Sequence, residues 1–437
     1  MLALLAAGCL ALPQNGAAPD PLSGAVAAFW DAPTVAARDA LAADLAASGA
    51  PFDAVLGALR LGRSYAADAP TGVVLRVRDN ADGVRHPYAV VVPTHYTPAR
   101  AWPVRFDLHG GMGAPAWDEG SGDWTGGWSR ADDQIVVLPA GWDASMWWQA
   151  SQMENALAIL REVRATWRID DDRVVLHGNS DGGAALFFHA MRQPDSWAAY
   201  VGWVAPPDRL VRAELRPDGQ LHLSNLVGQR FHLVYGGRDR LVPWKHAKRY
   251  LELFEASGAS IDAHLLPRSD HSLDLKAEHH DRTFAFALGA RRDPLPDRIG
   301  WATERTQRYA RRSWLVIDAL DPPGPDHEVD ESNLLPRWGT PLQLRGPTVD
   351  RVPWGRVELE REGNRVRATA RRVERFRLLI SPEQFDLTEP IVVTVDGHVR
   401  FEGRVEPSVA TLLHWVARDD EVTRPFAAEV AIDLGGR

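Results

Sequence analysis

The chain has one cysteine, Cys9, in 437 residues, so no intrachain disulfide can form. Lysine is nearly absent too: Lys245, Lys248 and Lys276 are the only three, and every other basic side chain is an arginine or a histidine. With 49 Lys and Arg against 58 Asp and Glu the net charge is −9, which gives no basic face for nucleic acid. No stretch approaches the ~20 apolar residues that a membrane-spanning helix needs. A P-loop, zinc-type Cys/His spacing and an EF-hand loop are all missing, so neither a metal nor a cofactor is expected. What the chain does have is a hydrophobic share of 45%, enough over this length for a substantial core and more than one domain.

Residues Gly178 to Gly183 read GNSDGG directly after the apolar run Val174, Val175, Leu176. This places Ser180 in G-x-S-x-G. Such a motif serves as a nucleophile elbow when a strand turns sharply into a helix, with glycines two residues either side preventing collision. An ordinary Ser/Gly turn is the alternative. RIDDDRVVLHG before the serine reads as a polar turn and a short buried strand, and AALFFHAMRQ after it as a helix, which favours the elbow.

Serine at its free pKa is a weak nucleophile and needs a base held by a third group. FHLVYGGRDRLVP, Phe231 to Pro243, gives a strand, a glycine turn and Asp239 ahead of the helix WKHAKRYLELFEA. Asp239 is the candidate acid, with Asp262 and Asp270 as rivals. The next strand, Ile261 to Leu266, leads into PRSDHSLD and offers His271 as the base. His264 falls inside that strand, and His279 and His280 in a polar helix-like run. The order Ser180, Asp239, His271 is one of the chain orders in which this triad occurs.

A tetrahedral intermediate also needs preorganised N–H donors. LHGGMG, Leu108 to Gly113, follows the strand-like PVRFDL and supplies an H-G-G loop at Gly110 and Gly111, and the N–H of Asp181 is the expected second donor. Gly111-Met112-Gly113 also begins a G-x-G-x-x-A pattern. A dinucleotide reading fails because glycine-rich loop, APAWDEGSGDWTGGW, follows where a helix should open.

These four pieces resemble the α/β-hydrolase superfamily, and within it secreted serine esterases of the polyhydroxybutyrate-depolymerase and feruloyl-esterase type. The residues that carry the likeness are His109-Gly110-Gly111, Gly178 to Gly183, Gly237-Arg238-Asp239 with Val242-Pro243, and Asp270-His271. The resemblance covers roughly residues 70 to 290. It implies an α/β-hydrolase fold, a mostly parallel eight-stranded sheet with helices on both faces, acting on a small-molecule or polymeric ester. A prolyl-oligopeptidase-like peptidase shares the motifs and is the second reading, disfavoured because no β-propeller repeat precedes the hydrolase segment. A catalytically silent glycan- or polymer-binding protein is the third.

Residues 1–20, MLALLAAGCLALPQNGAAPD, read as a secretion leader, although no Lys or Arg precedes Arg38. Leu5-Ala-Ala-Gly-Cys9 resembles a lipoprotein cleavage box, so export is expected, with lipidated Cys9 as a route to membrane anchoring. Residues 21–68 predict two or three short helices packed against the catalytic domain, 69–292. From residue 293 to 437 the alternation and the Gly363-Asn364 and Asp396-Gly397 turns predict a small β-rich accessory domain with one helix near SVATLLHWVARDD. Packing, polymer binding and an active-site lid are its competing roles, with packing favoured. Six tryptophans, Trp117, Trp124, Trp128, Trp142, Trp147 and Trp148, begin just after the H-G-G loop. Trp117, Trp142, Trp147 and Trp148 are candidates to bind a sugar or polyester chain, and buried pins for a long loop are the equal alternative. Asp118, Glu119 and Asp123 read as a solvated acidic loop.

Overall fold

The computed structural model describes residues 20–113, 115–118, 124, 133–273, 277–322, 330–336, 338 and 351–435. The leader with Cys9, and Glu119, Asp123 and Trp128, lie outside them.

Three helices come first: α1 (Pro21–Asp31), α2 (Val35–Ala47) and α3 (Phe52–Leu61). Pro21 opens α1, where a missing N–H costs nothing, and Thr34 caps α2 by accepting the Ala37 N–H at 3.1 Å.

The sheet that follows contains β1 (Gly72–Asp79), β2 (Arg85–Val92), β3 (Trp102–Leu108), β4 (Ile135–Pro139), β5 (Ile169–Asn179), β6 (Ala199–Trp203), β7 (Arg230–Gly236) and β8 (Ser260–Leu266). Its spatial order is β1-β2-β4-β3-β5-β6-β7-β8, and β2 alone runs against the rest. The acidic run Asp170 to Asp172, expected as a turn, lies within β5. Between the strands come α4 (Ala150–Thr166), α5 (Asp181–Arg192) and α6 (Trp244–Ala256), and α7 (Ala277–Gly289) follows β8. Alternation along the inner strands explains why helices cover both faces. Val174 and Leu176 of β5 share a core with Leu186 and Phe187 of α5, whereas Val175 and Val201 pack with Phe286 and Ala287 of α7.

The last part of the chain supplies β9 (Arg298–Thr303), β10 (Arg311–Arg312), β11 (Leu315–Leu320), β12 (Gly355–Glu362), β13 (Arg365–Arg371), β14 (Val373–Ile380), β15 (Ile391–Val395), β16 (His398–Gly403), α8 (Val409–Asp419) and β17 (Ala428–Asp433). These strands form two sheets, β16-β15-β13-β12-β9 and β10-β11-β14-β17. The inward rows Val357, Leu359, Val366 and Val393 of one sheet share a core with Ile317, Phe376, Leu378 and Ile432 of the other, which makes a sandwich. Asp396 (φ 50°) and Gly397 (φ 82°) turn between β15 and β16 with both φ positive, as a type I′ hairpin requires.

The N-terminal helices depart from expectation. Their apolar faces, including Val26, Phe29, Leu45, Val55 and Leu59, are covered by Leu412, Leu413 and Val416 of α8 rather than by the catalytic domain. Arg38 and Arg63 both pair with the buried Asp420 just beyond α8. The amphipathic face of α8 would be left wet without them, which is the physical reason for the pairing.

A buried ionic cluster joins the sandwich to the hydrolase sheet. Glu304, next to β9, accepts two hydrogen bonds from Arg192 of α5 (2.7 and 2.9 Å) and lies 3.1 Å from His222 Nε2. Burial alone would raise the Glu304 pKa, but the His222 hydrogen bond and the Arg192 charge hold it far below the usual carboxylate range. Its contribution to stability is therefore complete above its ordinary value of 4.5 and is lost as pH falls below that toward the depressed folded value. Glu304→Gln leaves Arg192 buried without a counter-charge and is expected to cost about 3–5 kcal/mol. Thermal melts of both proteins between about pH 6 and pH 3 check this, because the gap should narrow on acidification. Parallel curves would show that Glu304 does not set the acid limit.

Candidate active site

The strand order reverses direction at the boundary between β3 and β5. After β3 the chain moves outward to β4, and after β5 it moves the other way to β6. Loops leaving the carboxyl ends of these two strands diverge, and in open α/β sheets this is where ligands bind. His109-Gly110-Gly111 leaves β3 there, and Ser180 leaves β5.

Ser180 has φ 53° and ψ −115°, a strained conformation for a residue with a side chain. The strain is held by its N–H, bonded to the Trp203 carbonyl at 2.9 Å, and by its carbonyl, which accepts the Ala184 N–H at 3.1 Å. A Cβ on Gly178 would lie 2.1 Å from the Gly182 carbonyl oxygen, and one on Gly182 would lie 2.0 Å from that of Leu108. Only glycine fits at either position. Such a turn lifts the serine hydroxyl clear of the sheet.

His271 comes from the loop after β8, and its Nε2 lies 3.0 Å from Ser180 Oγ. On the other side of the ring, Nδ1 lies 2.8 Å from Asp239 Oδ2. An ionised carboxylate can only accept, so Nδ1 carries the proton and Nε2 presents its lone pair to the serine hydroxyl. Asp239 follows β7 with its side chain fully buried, and its Oδ1 accepts the N–H groups of Leu241 and Val242, both at 2.8 Å. These bonds fix the carboxylate rotamer. The rivals are engaged elsewhere: Asp270 accepts the Ser272 N–H, Asp262 faces His232 and His264, and His280 packs on Trp203.

The H-G-G loop is tied down by groups that the motif alone does not reveal. His109 Nδ1 donates to the Gly110 carbonyl (2.8 Å), and its Nε2 accepts the Gly141 N–H (3.0 Å). Burial lowers the His109 pKa, which keeps the ring neutral and both bonds intact. In a trans peptide the N–H points opposite to the carbonyl, so this bond turns the Gly111 N–H away from the imidazole. A Cβ on Gly110 would come within 2.9 Å of Ser180 Cβ, showing how closely the loop approaches the elbow. The Met112 N–H donates to Asp181 Oδ2 at 3.0 Å and locks the loop to the start of α5. As the first residue of α5, Asp181 has a backbone N–H with no acceptor within the helix, as an oxyanion donor must. Arg209 Nε lies 3.4 Å from Asp181 Oδ1, an ion pair without the alignment of a hydrogen bond.

Three of the four candidate tryptophans correct the platform expectation. Trp142, Trp147 and Trp148 are buried, at 7%, 2% and 1% exposure, and offer no open face to a polymer. Trp147 Nε1 donates to the His109 carbonyl at 2.9 Å, half-buried Trp117 donates to the Gly141 carbonyl at 2.9 Å, and Trp148 donates to that of Leu215. The indole N–H groups of Trp117, Trp147 and Trp148 have each found a backbone partner inside the fold. Trp117 and Trp147 therefore brace His109 from two sides, both edge-on to its ring. If the H-G-G loop supplies oxyanion donors, Trp147→Phe is expected to lower kcat about 5–10-fold while leaving KM nearly unchanged, since one lost hydrogen bond of ~1 kcal/mol would loosen groups used mainly in the transition state. Steady-state kinetics on a chromogenic ester measure it, and an unchanged kcat would refute the bracing role.

The topology and the elbow together decide the architecture. The chain has the α/β-hydrolase fold. Comparison with solved structures returns a thermostable esterase (16% identity, 50% of this chain and 63% of that one, TM-score 0.39). It also returns Porphyromonas gingivalis dipeptidyl peptidase 4 (13% identity, 53% and 37%, TM-score 0.39) and Thermogutta terrifontis esterase 2 phosphorylated by paraoxon (15%, 51% and 96%, TM-score 0.39). This chain spans less than two thirds of the length of the first two. Likenesses this distant carry no argument of their own, and the fold assignment rests on strand order and the elbow. No protein-family model and no curated protein matches the sequence.

Proposed function

We propose that this chain is a serine hydrolase that cleaves carboxylic esters by acyl transfer. The observation that carries the reading is the continuous hydrogen-bonded line from Asp239 through His271 to Ser180, ending on a strained elbow beside an H-G-G loop.

In this reading His271 Nε2 takes the Ser180 proton as Oγ attacks the ester carbonyl, and Asp239 stabilises the imidazolium that forms. The negative charge on the tetrahedral oxygen meets the N–H groups of Asp181 and of the Gly110-Gly111 loop. As the intermediate collapses, His271 returns the proton to the departing alcohol, leaving an acyl-serine. Water, deprotonated by the same imidazole, attacks that acyl group and frees the acid through a second tetrahedral intermediate. No cofactor enters any step.

The preference for esters rests on the motif resemblance to secreted esterases, and a peptidase would use the same machinery. A panel of nitrophenyl esters and aminoacyl anilides separates them. Ester turnover is the expected result. Turnover of anilides alone would assign a peptidase, and binding of glycans or polyesters without turnover of either would assign a silent binding protein.

A further inference from the structure

At the β7–β8 edge of the sheet, three side chains of metal-ligating type converge. Asp262 and His264 are two residues apart on β8 and so point to one face, and the parallel register sets His232 of β7 beside Asp262. Their nearest ligand atoms all lie within 4.8 Å of one another. His232 is buried, Asp262 is half-exposed and His264 lies between them in exposure.

Hydrogen bonding accounts for His232 and for one nitrogen of His264, whose Nδ1 lies 3.4 Å from Arg282, but not for the other. His232 Nδ1 is 2.8 Å from Asp262 Oδ2 in good alignment. His264 Nε2 lies 2.8 Å from Asp262 Oδ1, yet it is out of line for a hydrogen bond and has no such partner among the described residues. A buried ring nitrogen held this close to a carboxylate oxygen stands where a shared proton or a metal ion would sit between them.

We propose that His232, Asp262 and His264 bind one divalent transition-metal ion, with zinc favoured by two imidazoles and a carboxylate. Ligands at ~2.0–2.1 Å from a tetrahedral ion stand roughly 3.3 Å apart. Each 2.8 Å gap must therefore open by about 0.5 Å, a movement open to the exposed Asp262 carboxylate. The outer partner of His232 is already in place: its Nε2 lies 3.2 Å from Thr283 Oγ1 on α7, which can accept the N–H once Nδ1 takes the metal. Arg282 approaches His264 Nδ1 at 3.4 Å, and its positive charge opposes the ion, so it must turn outward. The fourth position is left to water. Because the loop that carries His271 leaves β8, a bound ion would tie the strand from which that loop departs to its neighbour β7.

This assignment is independent of what Ser180 does, and its readout is not catalytic. The full chain, stripped with chelator, is titrated with zinc sulfate by calorimetry and then melted with and without zinc. The expected result is one zinc per chain with a Kd at or below about 10 μM, and a Tm rise of about 2 °C or more at 100-fold excess over Kd. His264→Ala and Asp262→Asn should each weaken binding at least tenfold and remove the Tm rise, and Cys9→Ser should change neither. Wild-type binding weaker than about 100 μM, equal binding by Asp262→Asn, or loss of binding in Cys9→Ser would each overturn the site. Asp262 is exposed enough that its variant decides the matter even if His264→Ala fails to fold.

Discussion

Ser180→Ala is expected to lower ester turnover by about 10⁶-fold while leaving the fold intact. Alanine keeps the Cβ and accepts the same backbone angles, and the one hydrogen bond lost from Oγ is the bond to His271. The residual rate should stay about 10³–10⁴-fold above that in water, because in the proposed mechanism the N–H donors at Asp181 and the H-G-G loop would still bind the developing oxyanion. His271→Ala should cost nearly as much, and the double variant little more, since nucleophile and base act as a unit. A chromogenic ester assay at matched protein concentration, fixed by absorbance, measures all three. Turnover surviving in Ser180→Ala would remove the nucleophile assignment and with it the proposed mechanism.

Asp239→Asn should reduce kcat by about 10⁴-fold with KM little altered. The physical reason lies in the two oxygens of Asp239. Oδ1 accepts the Leu241 and Val242 N–H groups, so an asparagine must put its carbonyl there and turn its amide nitrogen toward His271. A donor then faces Nδ1. The imidazole answers by moving its proton to Nε2, which can no longer take a proton from Ser180. Asp270→Asn provides the contrast: that carboxylate caps the Ser272 N–H, and its loss should leave kcat within about twofold. Comparable losses in both variants would mean that the loop, rather than the tautomer, was disturbed.

How far the sequence reveals this molecule depends on how local each signal is. Ser180, Asp239 and His271 each sit just past an apolar run at a turn, and the chain order of the three is informative, so short-range patterns suffice to bring them forward. The inner strands are legible for the same reason: runs such as Ile135–Pro139 are apolar throughout because both faces are covered. The tryptophans are not. Whether Trp147 stacks on a ligand or pins His109 depends on what lies 38 residues upstream once folded, and composition cannot say. The same limit hides the partner of α1 to α3, which lies at the opposite end of the sequence. It also hides the His232, Asp262, His264 group, because no spacing rule anticipates a ligand contributed by strand register.

The union of α1 to α3 with α8 has a consequence in time. Arg38 and its partner Asp420 are 382 residues apart, so at ~5–20 residues per second a ribosome needs about 20–75 s between them. Throughout that interval Phe29, Leu45, Val55 and Leu59 are synthesised but lack the cover that α8 gives. The hydrolase sheet can close while the first three helices wait, and they dock only when the final helix emerges. Nascent chains paused before Val409 would therefore display a sticky amino-terminal surface of the kind that holding chaperones recognise.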